Sequence, residues 1–125
     1  MTIRNGRQSS AVKAKGRLAE QAVCDYLQQA TGKIVERRRL TGTEDAGDVA
    51  GLPWCIEVKS TSRLDLSGWV DEARREFGHA AIRFGASHWA VVHKKRGTRD
   101  AGKWYVTMDL EELAEIIRHL LEQER

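Results

Sequence analysis

Residues 47–59 read GDVAGLPWCIEVK, and a tight pair of strands is the conformation that suits them best. Apolar Trp54, Ile56 and Val58 alternate with Cys55, Glu57 and Lys59, so a strand here has two unlike faces. Trp54, Ile56 and Val58 form the evident core face. If residues 51–54 make a loop closed by Ala50 opposite Cys55, Asp48 falls opposite Glu57. Directly opposed residues share a face, with Cβ atoms roughly 5 Å apart. Two carboxylates at that separation repel and raise one another's pKa. A hard divalent cation such as Mg2+, bound through oxygen, removes the conflict. Lys59 then reaches a phosphate or a metal-bound water. The plainer alternative is a solvated edge strand with a surface Glu-Lys pair, which contributes little.

A third carboxylate bears on that choice. Val12, Ala19, Ala22, Val23, Tyr26 and Leu27 recur at three- and four-residue steps, which predicts a helix over 12–29. Glu20 lies on or beside this apolar stripe, where an unpaired charge is rarely tolerated. Lys13 or Lys15 offers an ordinary ion-pair partner. The other reading turns Glu20 toward Asp48 and Glu57.

The remaining pattern predicts one α/β domain with a mixed central sheet flanked by helices, in the order α-β-β-β-α-β-β-α. Residues 33–40 are a candidate strand, and 41–47 a polar loop carrying Glu44 and Asp45. Asp45 is either a metal-approaching acid or a loop-capping residue. Leu66, Trp69, Val70, Ala73 and Phe77 stripe the next helix, with Asp65 a possible cap. The continuous run from Trp89 to Val92 suits a central strand over 88–94. Residues 103–108 form another strand. Asp109 and Glu112 resemble a capping box ahead of Leu113, Ile116, Ile117, Leu120 and Leu121. Residues 1–10 are expected to be a flexible basic arm, leaving 11–125 as the domain.

Charge is unevenly spread. The first nineteen residues carry Arg4, Arg7, Lys13, Lys15 and Arg17 and no acid, whereas the stretch from Asp109 is acid-rich. One face is thereby suited to a polyanion. No apolar run is long enough to cross a membrane and no signal peptide is visible, so a cytoplasmic protein is expected. Cys24 and Cys55 lack metal-type spacing and are expected to be reduced, buried thiols. The four histidines show neither zinc spacing nor a nucleophile partner, and His93 reads as structural or phosphate-contacting.

Glu20 in a first helix, the Asp48 strand, the Glu57-Val58-Lys59 strand, and the helix and strands that follow together resemble the PD-(D/E)XK nuclease superfamily. The likeness spans roughly residues 12–121 and is greatest to small Holliday-junction resolvases of the archaeal type and their actinobacterial and actinophage relatives. Gly47 stands where that superfamily usually has proline, and the spacing from Asp48 to Glu57 is short for it. The resemblance implies a restriction-endonuclease-like core. It implies that Asp48, Glu57 and the Val58 carbonyl bind Mg2+, with Mn2+ as a substitute, that Lys59 orients or activates water, and that Glu20 supports the metal. The implied activity is cleavage of DNA, branched by preference, in a bacterial cell as a nucleoid-associated or phage-encoded enzyme. A duplex, nicking or flap nuclease and a non-catalytic DNA-binding module are the alternatives. Arg37, Arg38, Arg39, Lys94, Lys95 and Arg96 are the expected phosphate contacts. Paired cuts call for a C2 homodimer, through the 65–79 helix or the sheet edge near Trp104, unless that helix simply covers its own sheet.

Overall fold

A computed structural model describes residues 9–39 and 45–124. Of the expected arm, residues 1–8 lie outside that range, as do 40–44 of the strand and loop proposed before Asp45. Ser9 and Ser10 instead begin the first helix, α1 (Ser10–Thr31), where the Ser9 hydroxyl accepts the Val12 N–H. Glycine at position 32 ends α1 in a left-handed conformation. Two short strands follow, β1 (Glu36–Arg37) and β2 (Val49–Ala50), paired antiparallel. Next come β3 (Trp54–Lys59), α2 (Leu66–Phe84), β4 (His88–His93), a single 3-10 turn (Ala101–Lys103), β5 (Tyr105–Thr107) and α3 (Leu110–Gln123).

The element order matches the sequence pattern, and the fold is mixed α/β with a small mixed sheet between helices. β3 and β4 are parallel, and β4 and β5 antiparallel. Parallel neighbours need a crossover, and α2 supplies it. Asp65 caps α2 by accepting the Gly68 N–H.

The sheet is covered on both faces. Ile56 and Val58 join Ala19, Val23, Cys24, Val35, Val49 and Trp104 beneath α1. Cys55 joins Trp69, Ala73, Ala80, Trp89 and Val91 beneath α2. The Cys55–Glu57 face is thus roofed by α2, which removes the alternative of a solvated edge strand, and Glu57 is only 4% exposed. Of the two readings of the α2 stripe, the structure shows it packed on its own sheet, with Trp69 and Ala73 buried there. Trp104 is buried as well.

Two elements are shorter than their patterns suggested. The strand expected over 33–40 is confined to Glu36–Arg37 among the described residues, and that over 103–108 to Tyr105–Thr107. α3 departs in another way. Asp109 accepts the Glu112 N–H as a cap should. The Glu112 carboxylate does not return to the cap. It accepts from Trp89 N–H (3.2 Å) and His88 Nδ1 (2.9 Å), while His88 Nε2 meets His119 Nδ1 at 3.0 Å. Leu110, Leu113, Ile117, Leu120 and Leu121 remain exposed. Polar contacts therefore do much of the work of attaching α3. No described helix is long and apolar enough to cross a membrane.

Candidate metal centre

Asp48 enters the site by a different route from the one its sequence suggests. Its backbone N–H bonds the carbonyl of Ile56 (2.8 Å), one residue short of Glu57. β2 pairs with β1 instead of continuing a ladder along β3. The carboxylate then reaches across, and Oδ2 accepts the Val58 N–H at 2.8 Å. The residue before it, Gly47, has φ +94°, and a Cβ there would lie 3.1 Å from the backbone of Ile56. Proline, locked near −65°, cannot take that conformation. Glycine here is a requirement of the turn that delivers Asp48.

The expected direct opposition of Asp48 and Glu57 is replaced by this offset, yet the two carboxylates still interact. Burial, then the charge of Glu57, pushes Asp48 up to about 8, against the pull of the Val58 N–H. Glu57 is also held well above the usual carboxylate range, first by burial and then by Glu76. Its Oε2 lies 3.6 Å from Lys59 Nζ. Its Oε1 is buried and has no hydrogen-bond partner.

Lys59 bonds Glu72 and faces Glu57. Burial alone would lower its pKa, but the Glu72 bond and the charges of Glu57, Glu72 and Asp48 together raise it. It is a fixed positive charge at neutral pH.

Glu72 and Glu76 lie one turn apart on α2, and sequence reasoning passed over both. A signal was available for Glu76. It falls in the stripe Trp69, Ala73, Glu76, Ala80, the buried positions of this helix. The argument that singled out Glu20 on α1 applies to Glu76 with more force, because Glu76 is 3% exposed and its Oε1 has no partner. Burial raises the Glu76 carboxyl as well.

Asp45 shapes its own loop and also lies in an acidic cluster. Its Oδ1 accepts the Gly47 N–H (3.0 Å), which shapes the turn, and its backbone carbonyl accepts from His79 Nδ1 on α2 (2.9 Å). It also stands with Glu57 and Glu76 in a group whose ligand oxygens all lie within 4.8 Å of one another. This buried carboxylate cluster could hold a metal ion, and its oxygen-only donors suit a hard divalent cation.

Glu20 comes close enough for its charge to raise Asp48, but its carboxylate is paired with Arg37 at 3.0 Å. Arg37, neither Lys13 nor Lys15, is the partner found in the structure.

The basic residues divide into two groups. Arg38 is directed inward. Its guanidinium lies 3.9 Å from the Phe84 ring and donates to the Val49 carbonyl, and burial lowers its pKa. Arg39, Lys94, Lys95 and Arg96 are exposed. The Lys94 N–H bonds the Lys59 carbonyl (2.9 Å), so the Lys94–Arg96 segment leaves the sheet beside Lys59. Lys94 and Lys95 lie over the rings of Trp104 and Tyr105 at 5.9 and 5.7 Å. His93 is buried, bonds Thr107 Oγ1 at 2.7 Å and packs at a tilt against the Trp69 ring, and burial lowers its pKa.

No protein-family model, curated protein or solved structure matches the chain, so the geometry of the site carries its interpretation.

Proposed function

We propose that this protein is a Mg2+-dependent endonuclease of the PD-(D/E)XK type, with a restriction-endonuclease-like core, that hydrolyses phosphodiester bonds in DNA. One observation carries the reading. Asp48, Glu57 and Lys59 converge where a parallel strand pair meets α2, and the charge of Glu57 raises Asp48 even though Lys59, itself shared with Glu72, faces Glu57. Such an arrangement is costly to bury unless a bound cation compensates. The unpartnered Glu57 Oε1 and the all-oxygen donor set fit that cation.

Asp48 and Glu57 would hold the metal, with the Val58 carbonyl and Glu20 in support. When bound, Mg2+ supplies Lewis-acid chemistry, stabilising charge on a phosphate and easing ionisation of water. The Lys59 ammonium stabilises negative charge developing on the phosphate, or orients water, from a position fixed by Glu72. Lys94, Lys95 and Arg96, emerging beside Lys59, bind flanking phosphates and set the strand against the site. Arg37 and Arg39 approach from the β1 side.

The favoured substrate is a branched four-way junction, cut by two sites of a C2 homodimer. With the α2 stripe spent on the chain's own sheet, the exposed Tyr105 and Val106 on edge strand β5 are the better candidate contacts. A nuclease of the same fold acting on flaps, nicks or duplex is the second reading, supported by the same site.

The experiment is cleavage of labelled four-way junction, flap, splayed arm and linear duplex, with Mg2+ or EDTA, by wild type and Asp48→Asn. Mg2+-dependent cutting of the junction in paired strands, lost in the variant, is expected. Substantial activity in Asp48→Asn would sink the site assignment. Binding of DNA without cleavage under any metal would leave a DNA-binding module.

A further inference from the structure

Glu57 has two sets of acidic neighbours. One is Asp48, beside Lys59 in the proposed cleavage site. The other is Glu76 of α2 together with Asp45. We infer that Asp45, Glu57 and Glu76 bind a second divalent cation, distinct from the ion at Asp48 and linked to it through Glu57.

Two observations support this independently. The first is spacing. The three ligand oxygens lie within 4.8 Å of one another, and oxygens that each sit about 2.0–2.6 Å from one hard cation are separated by no more than about twice that. The second is unmet bonding. Glu57 and Glu76 are 4% and 3% exposed, and Oε1 of each is buried with no hydrogen-bond donor other than a proton that the two carboxyls would share. Buried carboxylate oxygens in that state carry a desolvation cost that something must offset.

A proton shared between Glu57 and Glu76 is the competing solution. The contacts of Glu76 with Glu57 and Asp45 permit such a bond, but it removes the charge from Glu57 at the position where Asp48 needs a partner ligand. A dication satisfies all three carboxylates together and keeps Glu57 ionised. Lys59, the nearby cation, is already committed to Glu72 and Glu57.

The ligands are also held in place before any ion arrives. Glu76 projects from the buried stripe of α2. His79, three residues on, holds the Asp45 backbone carbonyl, and the Asp45 side chain closes its own turn at Gly47. An ion here therefore clamps α2 to the segment that delivers Asp48. Donor chemistry selects Mg2+, Mn2+ or Ca2+ over softer metals. The link to cleavage rests on the nuclease reading, whereas the ion site itself does not.

The test uses Mn2+ alone, without DNA, counted by calorimetry and by electron paramagnetic resonance. Wild type should bind two ions per chain with a spin-coupled signal. Glu76→Gln and Asp48→Asn should each bind one, uncoupled. Asp45→Asn is the second probe should Glu76→Gln fail to fold, and it should weaken the same ion at least tenfold. A single ion lost in Asp48→Asn but kept at wild-type affinity in both Glu76→Gln and Asp45→Asn would overturn the second site. A single ion lost in Glu76→Gln but kept in Asp48→Asn would support the Glu76 site and overturn the metal assignment at Asp48 instead.

Discussion

Replacing Asp48 by asparagine should stabilise the metal-free protein at alkaline pH while destroying cleavage. Burial and the Glu57 charge move the Asp48 carboxyl from 3.8 to about 8 in the native state. Between those values the folded protein keeps a proton that the unfolded chain has released. The stability tied to this group is therefore complete below the unfolded value of 3.8 and is lost as pH rises through about 8. At about 1.4 kcal/mol per pKa unit, the shift sets a ceiling of roughly 6 kcal/mol. Relaxation of the site and entry of water reduce the realised cost to about 2–3 kcal/mol. Asparagine keeps the shape and an oxygen for the Val58 N–H, and never ionises. Urea unfolding in EDTA should find the two proteins within about 0.5 kcal/mol of each other near pH 3 and the variant ahead by about 2 kcal/mol near pH 9. Added Mg2+ should favour wild type, because a ligand stabilises only the state that binds it. Equal losses of stability in both proteins between the two pH values would refute the assignment of the cost to Asp48.

Three further outcomes are expected. Lys94→Ala/Lys95→Ala should flatten the salt dependence of DNA affinity by about 1.8 in slope, at about 0.9 per phosphate contact, and an unchanged slope would place both lysines off the DNA. Trp69→Ala, which empties the α2 side of the core, should cost about 3–5 kcal/mol in urea unfolding, whereas a loss under 1 kcal/mol would mean that α2 is not packed as described. Glu112→Ala leaves the Trp89 N–H and His88 without their acceptor and should cost about 1–3 kcal/mol. Hydrogen exchange of the α3 amides would report that loss, and unaltered protection would show that α3 is held by other contacts.

Local rules determined much of this protein. Period-2 alternation fixed Trp54–Lys59 as a strand and placed Ile56 and Val58 on a core face. Stripes at three- and four-residue steps found α1 and α2, and Asp65 and Asp109 cap where their side chains allow. Each of these signals depends on neighbours in the chain, which is why a sequence can show them. The partner of a face is a different matter, because periodicity says that residues share a side and not which distant element arrives over it. Only the folded chain covered the Cys55–Glu57 face with α2, thereby burying the Glu57 carboxylate and adding Glu72 and Glu76 to its surroundings. The offset of Asp48 was equally beyond local reading: β2 is drawn into pairing with β1, and a left-handed Gly47 redirects the chain. Glu20 was legible as a carboxylate in need of a partner, but its choice of Arg37 required β1 to lie against α1. The Glu112–His88–His119 chain joins residues far apart in sequence, and α3 has that anchorage only because the fold sets it against β4.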